Sequence, residues 1–533
     1  MRGGTSVYRY VAVAAVVGIS AAGLYLMWRK LDSKKKRLSV KELKDLGNKL
    51  FAAKKYADSI RVFSSALAAG NPCEDELVRA MCYQNRAAAK EYHGGYAIDD
   101  MLSDCEQALK HNPRYAKAYF RRARLLQTNQ MYKESLISVF CATQLDPALD
   151  NQATQIIQDL LDHLEREDRL RWSSSLNMKC PRHVRHEKVY TWLHKTVAND
   201  CIRDDVLNKK LTGNSGYERA IRLIRDKQYD CVVTEAVEEN DACKLKALVL
   251  AARFYFYMND LEMVDVMMEK FDSIYCQLTE NEKGDVTDVM SSKYVFLIES
   301  GRTPASITAS FAAAQGSTPG PNPDFVIMAA FRLVLCNEIR KAMELLVAAG
   351  ASSPNITLLQ LTLQILRNAN NENNVPDMAV LHSNILQLEN FVRSLQPKCP
   401  HALSILAKIL ATFSSDIVAR DLSDEILHLE PNESIHYFDR SCMATSGKEA
   451  MENLEKCLAL EPYHPEANLM YASLMMNEIG TREITSGEYK IIDKHIAIAE
   501  QSFDDNVDFP VLPAVFRLRS VVEAKKAVAR ILT

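Results

Sequence analysis

The chain is 533 residues long, 47% hydrophobic and 25% charged, with 18 Gly and 17 Pro, an ordinary globular balance with a helical lean. That length allows two to four domains around substantial cores. A net charge of −3 gives no global reason to expect nucleic acid as a partner. The thirteen cysteines are scattered, without a C-x-x-C pair, and read as buried thiols of a reducing compartment.

The first element expected is a transmembrane helix over residues 10–28, "YVAVAAVVGISAAGLYLMW", a stretch without a charge. At about 1.5 Å per residue it spans roughly the 30 Å hydrocarbon layer of a bilayer. Tyr8, Tyr10, Tyr25 and Trp28 suit its two interfaces. A cleaved signal peptide is the rival, but the apolar run is long for one and lysines follow it. Arg29, Lys30, Lys34, Lys35, Lys36 and Arg37 outnumber Arg2 and Arg9, so the C-terminal part is expected on the cytosolic side. Short, moderately hydrophobic and flanked by basic residues, the segment suits the mitochondrial outer membrane at least as well as the endoplasmic reticulum. Ala14, Gly18 and Ala22 form a small-xxx-small ridge that would permit a homodimer, although small residues in a weak anchor explain it more simply.

After a basic linker, residues 29–39, the chain becomes repetitive. "KDLGNKLFAAKKYADSIRVFSSAL" sets Leu43, Leu46, Gly47, Leu50, Tyr56, Phe63 and Ala66 at the spacing of a tetratricopeptide repeat. A second unit carries Ala87, Tyr92, Ala108 and Pro113, with Gly94–Gly95 adding two residues to its turn. A third carries Tyr119, Ala123, Leu126, Tyr132, Val139, Ala142 and Pro147. Pro113 and Pro147 are 34 residues apart, the length of one unit. Each unit is expected to be two antiparallel helices ended by its Pro.

"KAYFRR", residues 117–122, puts Lys117 and Arg121 four apart on one helix face, an arrangement that destabilises an isolated helix slightly. Stacked repeats supply a reason for it. Lys44 and Asn48 lie on the first helix of the first unit, Asn85 on that of the second, Lys117 and Arg121 on that of the third. Asn48, Asn85 and Arg121 are separated by 37 and 36 residues, which aligns them on one concave wall. Three cations and two amides there suit a ligand with two neighbouring carboxylates, such as a peptide C-terminus ending in Asp.

At these five positions the sequence resembles the dicarboxylate clamp of chaperone-binding tetratricopeptide domains. The resemblance implies cytosolic heat-shock chaperones as partners, taken by their C-terminal Glu-Glu-Val-Asp tails. An anchor followed directly by a clamp resembles the 70-kDa tetratricopeptide preprotein receptor family of the mitochondrial outer-membrane translocase. That likeness covers the layout of the full chain, while specific motifs are confined to residues 1–147. It implies a tail in the intermembrane space (1–9), an anchor (10–28), a clamp domain (40–148), a charged connector (149–215) and a degenerate repeat array (216–533) that takes hydrophobic mitochondrial precursor proteins. It also implies contact with other subunits of the translocase and no cofactor.

In the array, "YERAIRLIRDKQYDCVVTEAV" spaces Ala220, Leu223 and Tyr229 like Gly47, Leu50 and Tyr56, and "ILHLEP" and "CLALEP" mark unit endings at Pro431 and Pro462. About seven irregular units are expected, with "QGSTPGPNP", residues 315–323, as a loop. No residue there is singled out as a precursor contact. "CPRHVRHE" holds Cys180, His183 and His186, too few ligands for a zinc site, and is read as a basic surface loop. No phosphate loop, H-E-x-x-H or nucleophile elbow occurs, so no catalytic residues are expected. The sequons at Asn355 and Asn432 are expected unused on the cytosolic side. The expected fold is an all-α tetratricopeptide superhelix (α-solenoid) with an N-terminal transmembrane helix. The alternative function is a membrane-anchored co-chaperone without precursor binding. An enzyme carrying a clamp as a targeting module is the remaining rival, and helix-pair patterns after residue 148 leave it no catalytic domain.

Overall fold

The computed structural model describes residues 38–69, 76–175, 183–196, 200–240, 243–317, 322–350, 353–369, 377–479, 484–502 and 512–532. The expected tail and anchor, 1–9 and 10–28, lie outside the described residues. Among those that are described, no helix is long and apolar enough to cross a membrane, and every regular element is a helix. The chain forms a tetratricopeptide solenoid that divides into two compact units.

The first unit opens with three helix pairs, α1 (Val40–Ala52) and α2 (Tyr56–Ala68), α3 (Glu76–His93) and α4 (Ile98–His111), α5 (Ala116–Thr128) and α6 (Tyr132–Leu145), followed by the long α7 (Asp150–Ser175). Ser39 starts α1 with a reciprocal capping box to Glu42, which satisfies two of the four orphan amides of the first turn. Inside the first pair the signature residues do what their spacing predicts. Gly47 lets α1 approach so closely that a Cβ there would lie 2.5 Å from the Phe63 ring, and Phe63 and Ala66 are fully buried. Ser59 Oγ donates to the Gly47 carbonyl at 2.9 Å, and Ser135 Oγ repeats the bond to Ala123 at 2.7 Å in the third pair. Tyr92 differs from the pattern. It is 60% exposed, with Phe51 against its ring at 5.4 Å and Tyr56 stacked on it at 5.6 Å.

One turn geometry recurs within five of the described helix pairs. Lys54 and Gln130 are left-handed (φ 59° each), and the same is true of Lys227, Asn259 and Asn337 at 57°, 62° and 61°. At each turn the left-handed residue donates to the carbonyl three back, and the next residue donates to the carbonyl five back, closing the helix as a Schellman motif. The middle pair of the first unit uses Gly94 and Gly95 instead (φ 75° and 77°), the two extra residues of its turn.

The described residues of the second unit lie between Ser175 and Val515. Starting at Gly216 it contains eight helix pairs among the described residues, from Gly216–Arg225 with Val232–Val237 to Pro465–Ile479 with Ser486–Ser502. Its interior is a chain of apolar clusters built around Phe254 and Phe271, then Phe325 and Leu346, then Leu388 and Leu406. The stretch 315–323 is less of a loop than expected, since Gln315–Ser317 completes one helix and Pro323 occupies the first position of the next, capped by Asn322.

Two findings depart from the sequence expectation. The segment from Phe516 to Leu532 groups with the first unit, although the sequence placed it at the end of the second array. On the helix Leu512–Leu532, Val521 and Ala524 pack with Leu136, Val139 and Leu160, and Val528 with Tyr119, Cys141 and Ala142. Arg517 is paired with Asp162 and Glu165, and Arg519 with Asp168 at 3.0 Å. The reason is the apolar outer face of α6 and α7, which needs a cover. Among the cysteines, Cys82, Cys105, Cys141 and Cys457 are buried free thiols as expected, whereas Cys231, Cys276 and Cys442 are exposed.

Candidate functional site

Each residue of the expected clamp is carried by the first helix of a pair. Lys44 and Asn48 stand one turn apart on α1, Asn85 in the middle of α3, Lys117 and Arg121 one turn apart on α5. Asn85 Nδ2 donates to Asn48 Oδ1 at 2.8 Å, so the amides of two successive repeats meet directly. That bond leaves the Asn48 amide group and the Asn85 carbonyl for an incoming partner. Lys44 is largely sheltered, its side chain 17% exposed, with Asp45 Oδ1 at 3.2 Å. Lys117 is exposed and has no ion-pair partner among the described residues.

Arg121 is held differently. Its Nη1 is paired with Glu91 Oε2, while Glu91 Oε1 faces Nη2 of Arg124 at 3.3 Å. Its Nε is buried without a partner. Burial pushes the Cys82 thiol up to about 11 against the lowering charge of Lys44, and Cys105 up to about 12 against that of Arg121. Both thiols therefore stay neutral near pH 7 and supply no anion to the clamp cations. Cations such as Lys44, Lys117 and Arg121, and amides such as the Asn48–Asn85 pair, are groups that bind carboxylates by charge-assisted hydrogen bonds.

The sequence missed Glu91, Arg124 and the anchor beneath them. Asp104 on α4 accepts from Arg86 Nε through both oxygens (3.2 and 3.1 Å) and from Lys90 at 2.9 Å. Arg86 also reaches Ser64 on α2 at 3.2 Å, fixing α3 between its neighbours. α3 carries Arg79, Arg86 and Lys90 before a lone acid, Glu91, near its C-terminal end, and that acid was the available signal.

A second set of ionisable groups lies within the second unit and corrects the expected surface loop at "CPRHVRHE". Val184, Arg185 and His186 are buried, and Cys180 lies outside the described residues. His186 has Tyr229 OH at Nδ1 and Glu433 at Nε2, both at 2.5 Å, and its amide donates to Glu461. Arg185 reaches Glu466 at 3.2 Å, and Tyr190 donates to Glu430 at 2.5 Å. Four carboxylates, Glu430 and Glu433 from one connection and Glu461 and Glu466 from the next connection and the helix it starts, thus collect on this basic strap. Burial alone would raise Glu430 and Glu433, but hydrogen bonds from His436 and Tyr190 to the first and from His186 to the second outweigh it, and both carboxyls titrate lower than usual. Deeper inside, Arg253 is fully buried between Asp200 (3.1 Å) and Glu299 (3.0 Å), with its guanidinium 4.4 Å from the Trp192 ring centre.

No family model matches the chain. It is 31% identical over 151 residues, 28% of its length, to mitochondrial import receptor subunit tomm-70 of Caenorhabditis elegans, and covers 26% of that protein. With mitochondrial import receptor subunit TOM70 of Homo sapiens it shares 23% identity over 432 residues, 77% of this chain and 68% of the relative. The match to the mouse protein of the same name covers 39% of that protein. A shorter stretch of 89 residues, 17% of this chain and 24% of the relative, is 37% identical to the Hsp70/Hsp90 co-chaperone cns1 of Schizosaccharomyces pombe. The crystal structure of yeast Tom70 aligns over 92% of this chain and 96% of its own at 16% identity, with a TM-score of 0.44.

Proposed function

We propose that this chain, a tetratricopeptide-repeat relative of the mitochondrial import receptor subunits, is itself an import receptor of the outer membrane. Its first unit docks cytosolic heat-shock chaperones by their C-terminal carboxylates, and its second unit accepts the hydrophobic precursors they carry for transfer to the translocation pore. The segment 10–28 holds it in the membrane with residues 1–9 in the intermembrane space. No chemical step is involved. The chaperone delivers the precursor, and apolar contact of low affinity retains it.

The observation that carries this is the set of five side chains, Lys44, Asn48, Asn85, Lys117 and Arg121, on the first helices of three successive pairs, with the two amides in contact. The terminal carboxylate and the Asp side chain of a Glu-Glu-Val-Asp tail are two anionic acceptors, complementary in sign to the three cations and able to accept from the amides.

The test uses the full chain in detergent and a fluorescent Glu-Glu-Val-Asp peptide. Wild type binds it, the Arg121→Ala variant does not, and a peptide amidated at its C-terminus fails against wild type. A hydrogen bond to a charged group contributes about 1.5–3 kcal/mol, so losing one weakens binding roughly tenfold to a hundredfold. Excess tail peptide leaves capture of an unfolded hydrophobic precursor intact, because the two ligands use different units. Equal binding by wild type and Arg121→Ala overturns the clamp, and loss of precursor capture under excess tail peptide overturns the division of labour.

A further inference from the structure

The five clamp residues account for recognition of a carboxylate but not for Glu91, an acid placed against the most sheltered of their cations. Glu91 comes from α3 and Arg121 from α5, thirty residues later. Its carboxylate bridges two arginines one helical turn apart, Oε2 on Arg121 Nη1 and Oε1 toward Arg124 Nη2. The exposures grade outward, 16% for the Arg121 side chain, 24% for Glu91 and 51% for Arg124. Lys117 stands one turn before Arg121 on the same face, so without Glu91 this face of α5 carries three cations and no anion.

We propose that Glu91 is a positioning residue of the tail site, holding the Arg121 guanidinium in the pose that receives the ligand carboxylate. The inference rests on the clamp assignment of the preceding subsection. An arginine free to swing loses rotamer freedom when a ligand binds, whereas one already pinned in the free protein has little left to lose. Glu91 takes Arg121 through Nη1, and Nη2 has no partner among the described residues, so donors remain for a second carboxylate. The negative charge of Glu91 is shared with Arg124, and together with Lys117 the face keeps a net positive charge. Glu91 thus orders Arg121 without reversing the field that attracts an anion.

Ordering one long side chain on binding weakens affinity roughly twofold to thirteenfold. In the full chain, Glu91→Ala therefore binds the Glu-Glu-Val-Asp peptide weaker by that factor, and Glu91→Gln, which keeps an acceptor oxygen for Arg121, recovers part of the loss. Helical content and melting temperature serve as controls for folding. A purely structural role would leave the local motion of Arg121 unchanged. The proposal requires that nuclear relaxation of the Arg121 Nε–H show greater mobility in Glu91→Ala before any ligand is added. If wild type binds the peptide and Glu91→Ala binds it as tightly or more tightly, Glu91 is idle or a competitor and this inference falls alone. If wild type fails to bind the peptide, the clamp and this inference fall together.

Discussion

The contact of the helix Leu512–Leu532 with the first unit yields a prediction far from the clamp in sequence. Val528 is 2% exposed and packs with Tyr119, Cys141 and Ala142, with Leu145, Leu149 and Leu532 at the edge of the cluster. Val528→Ala removes two carbon groups, about 0.8 kcal/mol each in transfer, and the fixed walls of α5 and α6 leave a void that adds to the loss. The expected cost is about 2 kcal/mol, concentrated in the first unit. Val528→Asp places a carboxylate in the same apolar cluster and should undock the end of the helix altogether, since a buried unpaired charge costs several kcal/mol. Hydrogen exchange read by mass spectrometry on the full chain checks this. Amides of α6 and α7 should exchange faster in both variants, most in Val528→Asp, while those of Pro400–Phe413 in the second unit stay protected. Glu523→Ala, on the exposed side of the same helix, is the control. Unchanged protection of α6 in Val528→Asp would show that the last helix does not cover the first unit.

Further predictions concern the two cores and the strap. A side chain at Gly47 meets the fully buried Phe63 ring, so Gly47→Ala should cost about 1–3 kcal/mol of overpacking; a melting temperature equal to wild type would contradict the close crossing. Arg253→Met strands Asp200 and Glu299 and should cost about 3–5 kcal/mol, read as a lower urea midpoint for the second unit. An unshifted midpoint would mean the two acids find other partners. The strap gives a pH dependence with two signs. Glu430 and Glu433 titrate lower in the folded state, so their contribution is full above the unfolded value of about 4.3 and is lost as pH falls from there through the folded values. Burial would lower His464, but its bond to Glu466 and the nearby acids raise it, so its contribution is full below about 6.5 and is lost as pH rises through its folded value. The contribution of these three groups should therefore be fullest between about pH 4.3 and 6.5, against the opposite trend of His194 and His495, which burial lowers. The urea-midpoint difference between wild type and a variant carrying Glu430→Gln, Glu433→Gln and His464→Gln reads it, and a difference that is largest above about pH 8 would refute the balance.

What the sequence made legible follows the range of the contacts involved. Gly47, Phe63, Ala66, Ala123 and Ala142 announce their pairs because a close helix crossing tolerates few residue types, and the crossing partners lie within one repeat. Lys227 was equally readable, since Ala220, Leu223 and Tyr229 keep the same offsets around it. The turns at Asn259 and Asn337 have the same geometry but are flanked by generic apolar residues such as Leu248, Phe254, Met328 and Leu333, which many helices share. The strap was misread because its burial depends on Glu430, Glu433, Glu461 and Glu466, some 240 to 281 residues later. The last helix has the amphipathic pattern of one more array helix, and nothing in that pattern names α6 and α7 as its neighbours. Glu91 was hidden because its partners Arg121 and Arg124 lie thirty or more residues later, on another repeat.

The discontinuity of the first unit sets a timetable for biosynthesis. Its helices α1 to α7 leave the ribosome first, but Val521, Ala524 and Val528 follow only after roughly 340 further residues. At about 5–20 residues per second, that delay is on the order of 20–70 seconds. Throughout it the row formed by Leu136, Val139, Leu160 and Leu164 has no cover from the last helix. A nascent chain with an open apolar row is the kind of surface that aggregates or is taken up by holding chaperones. By this timetable, the first unit can close its apolar row only when synthesis of the whole second unit is complete.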